Sequence, residues 1–208
     1  MKYGELNLGQ IEAVVNKLGG MDGVERFLSG ETVVKMLDRV FPTWKTIKLG
    51  THKDALALES ALKDADFQIL DWANDIMGKP AFTLASEETS IDLVTATVAE
   101  LGFTRSSGYN AICGRIRELG YELCPAEVGP QLRFQYKDQP LGKLLVIAME
   151  AIASSLDAIF DPRAVLNVFY VEHNDGGQGL STLYGGPGDV FNPDVRFVFV
   201  RRKSSTTL

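Results

Sequence analysis

Cysteine and histidine are scarce in this 208-residue sequence, which holds two of each. Cys113 and Cys124 are too few for a disulfide framework, and no Cys-x-x-Cys spacing indicates zinc. We therefore expect reduced thiols and a cytoplasmic protein without a metal or cofactor. The N-terminus lacks the uninterrupted apolar segment of a secretory signal, which favours the same location.

An excess of positive charge is missing as well. The formal net charge is -6 at pH 7, and hydrophobic residues make up 45% of the chain, as in ordinary globular proteins. An acidic surface repels phosphate backbones and anionic lipids, so we expect neither nucleic acid nor a membrane as partner. The expected partner is a small molecule or another protein, and the sequence predicts no oligomeric state.

The first half of the chain has helical periodicity. Apolar residues at helical spacing predict a helix over residues 8–18, capped by Asn7. One strand is predicted over residues 43–49, and further helices over residues 22–29, 33–41, 51–65 and 69–77. The polar segment 83–90 lacks periodicity and predicts a domain boundary, which gives a mainly helical unit over residues 1–85.

The second half of the chain is rich in strand patterns. Apolar and polar residues alternate over residues 132–137, which predicts an antiparallel strand that projects Arg133 and Gln135 into solvent. A hairpin turn is predicted at residues 174–177. A helix is predicted over residues 109–119, and strands over residues 91–98, 143–149, 165–171, 180–184 and 195–200. The predicted fold is α+β, with the N-terminal helical unit packed on a mainly antiparallel sheet over residues 86–208.

Three segments of the sequence carry a resemblance to known proteins. They are LGQIEAVVNKLGGMDGVERFLSGE (8–31), LGYELCPAEVGPQLRFQYKDQP (119–140) and NPDVRFVFVRRK (192–203). These segments resemble a family of uncharacterised hypothetical proteins from uncultivated bacteria with small genomes. The resemblance spans most of the chain and implies a bacterial protein, but it implies no activity.

The order of elements in the C-terminal half is a second likeness. A predicted helix leads into LCPAE (123–127), aromatic-rich strands follow, and RFVFVRR (196–202) forms a terminal strand. This order is similar to that of C-type-lectin-like domains, which implies ligand binding through loops without chemistry. The disulfide cysteines of secreted members and the Glu-Pro-Asn and Trp-Asn-Asp calcium motifs are absent from this sequence.

A catalytic alternative depends on Cys124. Cys124, His173 and Asn174 occur in the order Cys, His, Asn, in which the histidine would serve the cysteine as base in a small hydrolase. The same residues also fit a small buried thiol and a hairpin histidine. Metal and phosphate sites are not predicted, because no motif supplies their ligands or the required strand, glycine loop and helix.

The leading interpretation is a non-catalytic binding or interaction module. If the strand with Arg133 and Gln135 pairs with the strand of Arg196, their faces form a cationic patch for a small carboxylate or phosphate ligand. Glu127, in a proline-flanked loop, is a further candidate contact. A second alternative is a protein-partner adaptor that docks through its N-terminal helices.

Overall fold

A computed structural model describes residues 7–31, 40–156 and 165–202. The chain divides into two compact units, Met1–Arg39 and Val40–Leu208. The helix predicted over residues 33–41 lies almost entirely outside the described residues. Within the described ranges, no helix is long and apolar enough to cross a membrane.

The first unit contains helices α1 (Leu8–Leu18) and α2 (Met21–Leu28), both close to their predicted bounds. Asn7 caps α1 as expected, because its side chain accepts the N–H of Gln10 at 3.0 Å while the Gln10 side chain accepts the N–H of Asn7 at 2.9 Å. Gly19 ends the helix in the left-handed conformation, at φ 95°.

The second unit is built on one large mixed sheet and a small two-stranded one. Its strands are β1 (Lys45–Leu49), β2 (Gln68–Ile69), β3 (Thr89–Thr97), β4 (Ser107–Gly108), β5 (Lys143–Ile147), β6 (Ile152–Ala153), β7 (Leu166–Asn174), β8 (Gly177–Tyr184), β9 (Val190–Phe191) and β10 (Arg196–Val200). The large sheet has the order β1-β3-β10-β5-β7-β8-β2, with β6 beside β7, and β4 pairs with β9. Among these described strands, β10 pairs with β5 and β8 pairs with β2 in parallel, and the other pairs are antiparallel. The predicted α+β class and the predominance of antiparallel pairs are therefore confirmed.

Within residues 40–156 and 165–202, four helices accompany this sheet: α3 (Ala55–Asp64), α4 (Asp71–Met77), α5 (Tyr109–Glu118) and α6 (Val128–Gln135). Asp54 caps α3, because its carboxylate accepts the N–H of Ala57 at 2.7 Å. The boundary that the sequence suggests after residue 85 falls between β1 and β3, which pair antiparallel in the same sheet.

The strand predicted over residues 132–137 is wrong, because most of this segment belongs to helix α6. The alternation of apolar and polar residues suggested that the polar ones face solvent. In the structure α6 is buried on more than one face, so that Leu132 lies in the hydrophobic core and the polar Gln131 and Arg133 are fully buried as well. Pro130 fits in the first turn of the helix, where a backbone N–H has no intrahelical partner.

Helix α6 lies inside the curl of the sheet. It contacts α3, β1, β7 and β8. With neighbouring strands about 4.8 Å apart, a flat sheet would place β1 and β8 about 24 Å from each other, farther than one helix about 10 Å wide can span. The sheet therefore curls around α6, and side chains from this helix reach loops that are distant in sequence.

Gly129 allows α6 to approach β7, and its replacement tests this packing. A Cβ at Gly129 would lie 2.6 Å from Cγ of the fully buried Phe169, whereas a Cβ at the helical Gly114 would meet nothing within 4 Å. We expect Gly129→Ala to lower the free energy of unfolding by about 2 kcal/mol in urea denaturation. The control Gly114→Ala should leave it unchanged or raise it by about 0.5 kcal/mol. Equal stabilities of the two variants would contradict this packing.

Candidate functional site

Arg133 lies on α6 and is buried, not exposed on a strand face as the sequence suggested. Its guanidinium donates only to neutral oxygens. They are the side-chain oxygen of Gln139, the backbone oxygen of Glu172 at 3.1 Å, the side-chain oxygen of Gln178 at 2.7 Å and the backbone oxygen of Tyr136. These hydrogen bonds connect the end of α6 to β7 and β8. Because Arg133 is fully buried, it stabilises the fold and offers no surface to a ligand.

The charge of Arg133 persists despite its burial. Desolvation lowers the pKa of this guanidinium to about 10, which still leaves it protonated at neutral pH. The ring of Phe67 lies 4.9 Å from the guanidinium carbon and adds a cation–π contact. No carboxylate among the described residues pairs with Arg133.

The bonds of Arg133 also fix the loop between α6 and β5. Gln139, which accepts from Arg133, donates its amide to the backbone oxygens of Lys143 at 2.9 Å and Val171 at 3.2 Å. The N–H of Gly142 donates to the backbone oxygen of His173 at 2.7 Å. The backbone of residues 136–143 is therefore held from one side by a buried hydrogen-bond network.

Glu127 and Gln135 connect α6 to other parts of the backbone. The fully buried carboxylate of Glu127 accepts the N–H groups of Gly50 at 2.7 Å and Ala85 at 2.8 Å. The Gln135 side chain accepts the N–H of Lys48 at 2.9 Å and donates to the Lys48 oxygen at 2.8 Å, so it covers part of the edge of β1. The side chain of Gln131 lies between them, since it donates to Glu127 at 3.0 Å and accepts from Gln135 at 3.0 Å. The cationic strand face predicted from Arg133 and Gln135 does not form.

Arg196 is the predicted ligand residue that does line a cleft. It begins β10, opposite Thr97 of β3, and its Nη1 lies 3.2 Å from the carboxylate of Glu100. The N–H of Thr97 donates to that carboxylate and, together with Arg196, lowers the pKa of Glu100 despite partial burial. Arg196 is therefore held in place by an ion pair at the start of its strand.

The cleft beside Arg196 has a volume of about 720 Å³ and opens over β3, β10 and β5. This volume lies within the range of small-molecule sites. Trp44 and Tyr136 contribute aromatic rings to its lining, with centroids 5.1 Å apart and planes at 85°. Lys45 lies over the Tyr136 ring at 4.8 Å and pairs with Asp138 at 3.5 Å. One part of the cleft thus offers a half-buried aromatic surface.

Three charged side chains line the same cleft: Lys143, Asp194 and Arg196. Lys143 and Arg196 are the first residues of β5 and β10, which run parallel as neighbours, so both cations stand at the same end of the sheet. The sequence alone did not identify Lys143, Trp44 or Tyr136 as site residues. The sequence does show that two predicted strands begin near a basic residue. This pattern indicates a shared site only once β5 and β10 are known to be neighbours.

The structure does not bring Cys124 and His173 together. The N–H of Cys124 donates to the oxygen of Ala148, directly after β5, whereas His173 pairs with Lys143 at the start of β5. Five residues of extended chain separate Lys143 from Ala148, which is about 16 Å. Asn174 uses its side chain in the hairpin turn, where it accepts the N–H of Gly176 at 2.9 Å. The predicted Cys, His, Asn arrangement is therefore not formed.

The other features singled out from the sequence can also be placed. No group of three or more possible metal ligands occurs within the described residues. The helices of the first unit expose apolar side chains, among them Leu8, Ile11, Val14 and Phe27. This exposure is what the adaptor hypothesis requires, and that hypothesis stays a prediction.

Comparison of the chain with protein-family models, with curated proteins and with solved structures found no match. The resemblances noted in the sequence stay predictions.

The two thiols test the catalytic alternative. Burial raises the pKa of Cys113 to about 11 and raises that of Cys124 further, so neither thiol ionises at neutral pH. We expect both to resist Ellman's reagent in the native protein and to react at once in denaturant. Rapid native labelling of a single thiol that a Cys124→Ser variant abolishes would contradict this expectation.

Proposed function

We propose that the protein is a non-catalytic binding module that holds a small ligand with an anionic group in the cleft over β3, β10 and β5. One observation carries this proposal: Lys143 and Arg196 stand at the same end of neighbouring parallel strands, in a cleft that also contains an aromatic pair. Lys143 has no ion-pair partner in the part of the chain that the structure describes. Its exposed ammonium group is therefore available to an anion.

Arg196 supports the same ligand group in a different way. Its guanidinium has five N–H donors, and the Glu100 ion pair engages one end of this fork. The remaining donors can add a hydrogen bond to an anion held by Lys143. Because the whole chain carries a net charge of -6, cations gathered in one cleft are a local feature and do not reflect a basic surface.

The aromatic pair indicates that the ligand also has an apolar part. Trp44 and Tyr136 are half-buried, so their rings still present apolar surface to the cleft. A ring or alkyl group of a ligand that packs against them is removed from water, which favours binding. Ligand sites commonly combine such a surface with a few polar groups that fix the orientation of the ligand. A carboxylate attached to an aromatic ring by a short linker has both features.

A binding role is supported by the separation of Cys124 from His173, which removes the nucleophile and base of the hydrolase alternative. The two free, buried cysteines also fit a protein of the reducing cytoplasm. The proposed module therefore recognises a ligand through Lys143, Arg196 and the Trp44 and Tyr136 rings, and it performs no covalent step.

Tryptophan fluorescence provides a direct test, because the chain has two tryptophans and Trp72 can be replaced by Phe to leave Trp44 as the sole reporter. We expect 3-phenylpropionate to change this fluorescence and to bind about tenfold more tightly than the neutral 3-phenylpropionamide. A Lys143→Met variant should lose this preference. Lys53→Met, which removes an exposed lysine outside the cleft, should keep it.

The proposal fails if the carboxylate and the amide bind equally, or if neither changes the fluorescence. It also fails if Lys53→Met weakens binding as much as Lys143→Met does, because the effect would then reflect the overall charge of the protein. Thermal unfolding of each variant confirms that the comparison is made on folded protein.

A further inference from the structure

The cleft contains an anion as well as cations. Asp194 lines it, in the turn before β10, and its carboxylate has no ion-pair partner among residues 7–31, 40–156 and 165–202. Lys143 is unpaired in the same way, whereas Arg196 is already paired with Glu100. The cleft therefore presents one unpaired cation and one unpaired anion.

These two charges line one cleft without bonding to each other. No N–O distance of 4.0 Å or less joins Lys143 to Asp194, although the pairing of β5 with β10 brings the beginnings of both segments to the same end of the sheet. A ligand with only an anionic group satisfies Lys143 but brings a like charge close to Asp194. A ligand with both charges satisfies both side chains.

We propose that the cleft binds a zwitterion of the amino acid or short-peptide type, with an aromatic or apolar side chain. This inference rests on the proposed function and makes it more specific: the carboxylate of the ligand contacts Lys143, and its ammonium group contacts Asp194. The side chain packs against Trp44 and Tyr136. A cleft of about 720 Å³ has room for an amino acid or a dipeptide of this kind.

The charge requirement is tested with four probes that share a phenyl group. L-Phenylalanine and phenylalanylglycine carry both charges at different separations, 3-phenylpropionate carries only the anion, and 2-phenylethylamine carries only the cation. Binding is followed by Trp44 fluorescence in the Trp72→Phe background. We expect at least one zwitterion to bind about tenfold more tightly than either singly charged probe, and the tighter of the two zwitterions identifies the charge separation that the cleft accepts.

Two variants assign the charges to residues. Asp194→Asn should reduce the advantage of the zwitterion over 3-phenylpropionate about tenfold, because the ammonium group loses its partner. Lys143→Met should reduce its advantage over 2-phenylethylamine by a similar factor. The control Asp175→Asn removes an exposed carboxylate of the β7–β8 turn, outside the cleft, and should change neither ratio.

The outcomes separate this inference from the proposed function. If 3-phenylpropionate binds as tightly as the zwitterions, the inference is overturned while the proposal of an anion-binding module stands. If a zwitterion is preferred but Asp194→Asn leaves that preference intact, the assignment to Asp194 is overturned. If none of the four probes binds, both the inference and the proposed function are overturned.

Discussion

The hydrogen bonds of the buried Arg133 guanidinium are the interaction that holds α6, the loop after it, β7 and β8 together. A fully buried cation with no carboxylate partner in the described structure is costly unless hydrogen bonds satisfy its donors. Arg133 meets most of this requirement through its two terminal nitrogens, which donate to four neutral oxygens at the end of α6, in the loop that follows it, on β7 and on β8. Its buried Nε has no hydrogen-bond partner among the described residues. Because these oxygens must stay in place around one planar group, the loop between α6 and β5 has a defined backbone.

The position of the cleft follows from this constraint. Tyr136 and Lys143 line the cleft at the two ends of the fixed loop, and the network of Arg133 holds the backbone of both. The floor is formed by β3, β10 and β5, whose order brings Arg196 beside the same opening. A buried helix with polar side chains thus places an aromatic ring and a cation at the end of the sheet.

Local signals in the sequence predicted much of the fold. The cap at Asn7, the hairpin at residues 174–177 and the terminal strand near Arg196 depend on neighbouring residues, and the structure confirms them. Helix α6 was missed because its polar residues are buried by hydrogen bonds to backbone far away in sequence, so the helix has no exposed polar face. Of the cleft, only Arg196 was anticipated, because the parallel pairing that adds Lys143 joins segments about fifty residues apart and leaves no local pattern.

Hydrogen exchange of an Arg133→Lys variant tests most directly whether this buried cation organises the cleft. Lysine keeps the charge but lacks the planar fork, so the amides of Tyr136, Gly142 and Lys143 should exchange about tenfold faster or more, beyond any change in global stability. Glu127→Gln, which weakens another buried contact of α6, should instead affect the loops around Gly50 and Ala85. Unchanged exchange over residues 136–143, or the same pattern in both variants, would contradict the account.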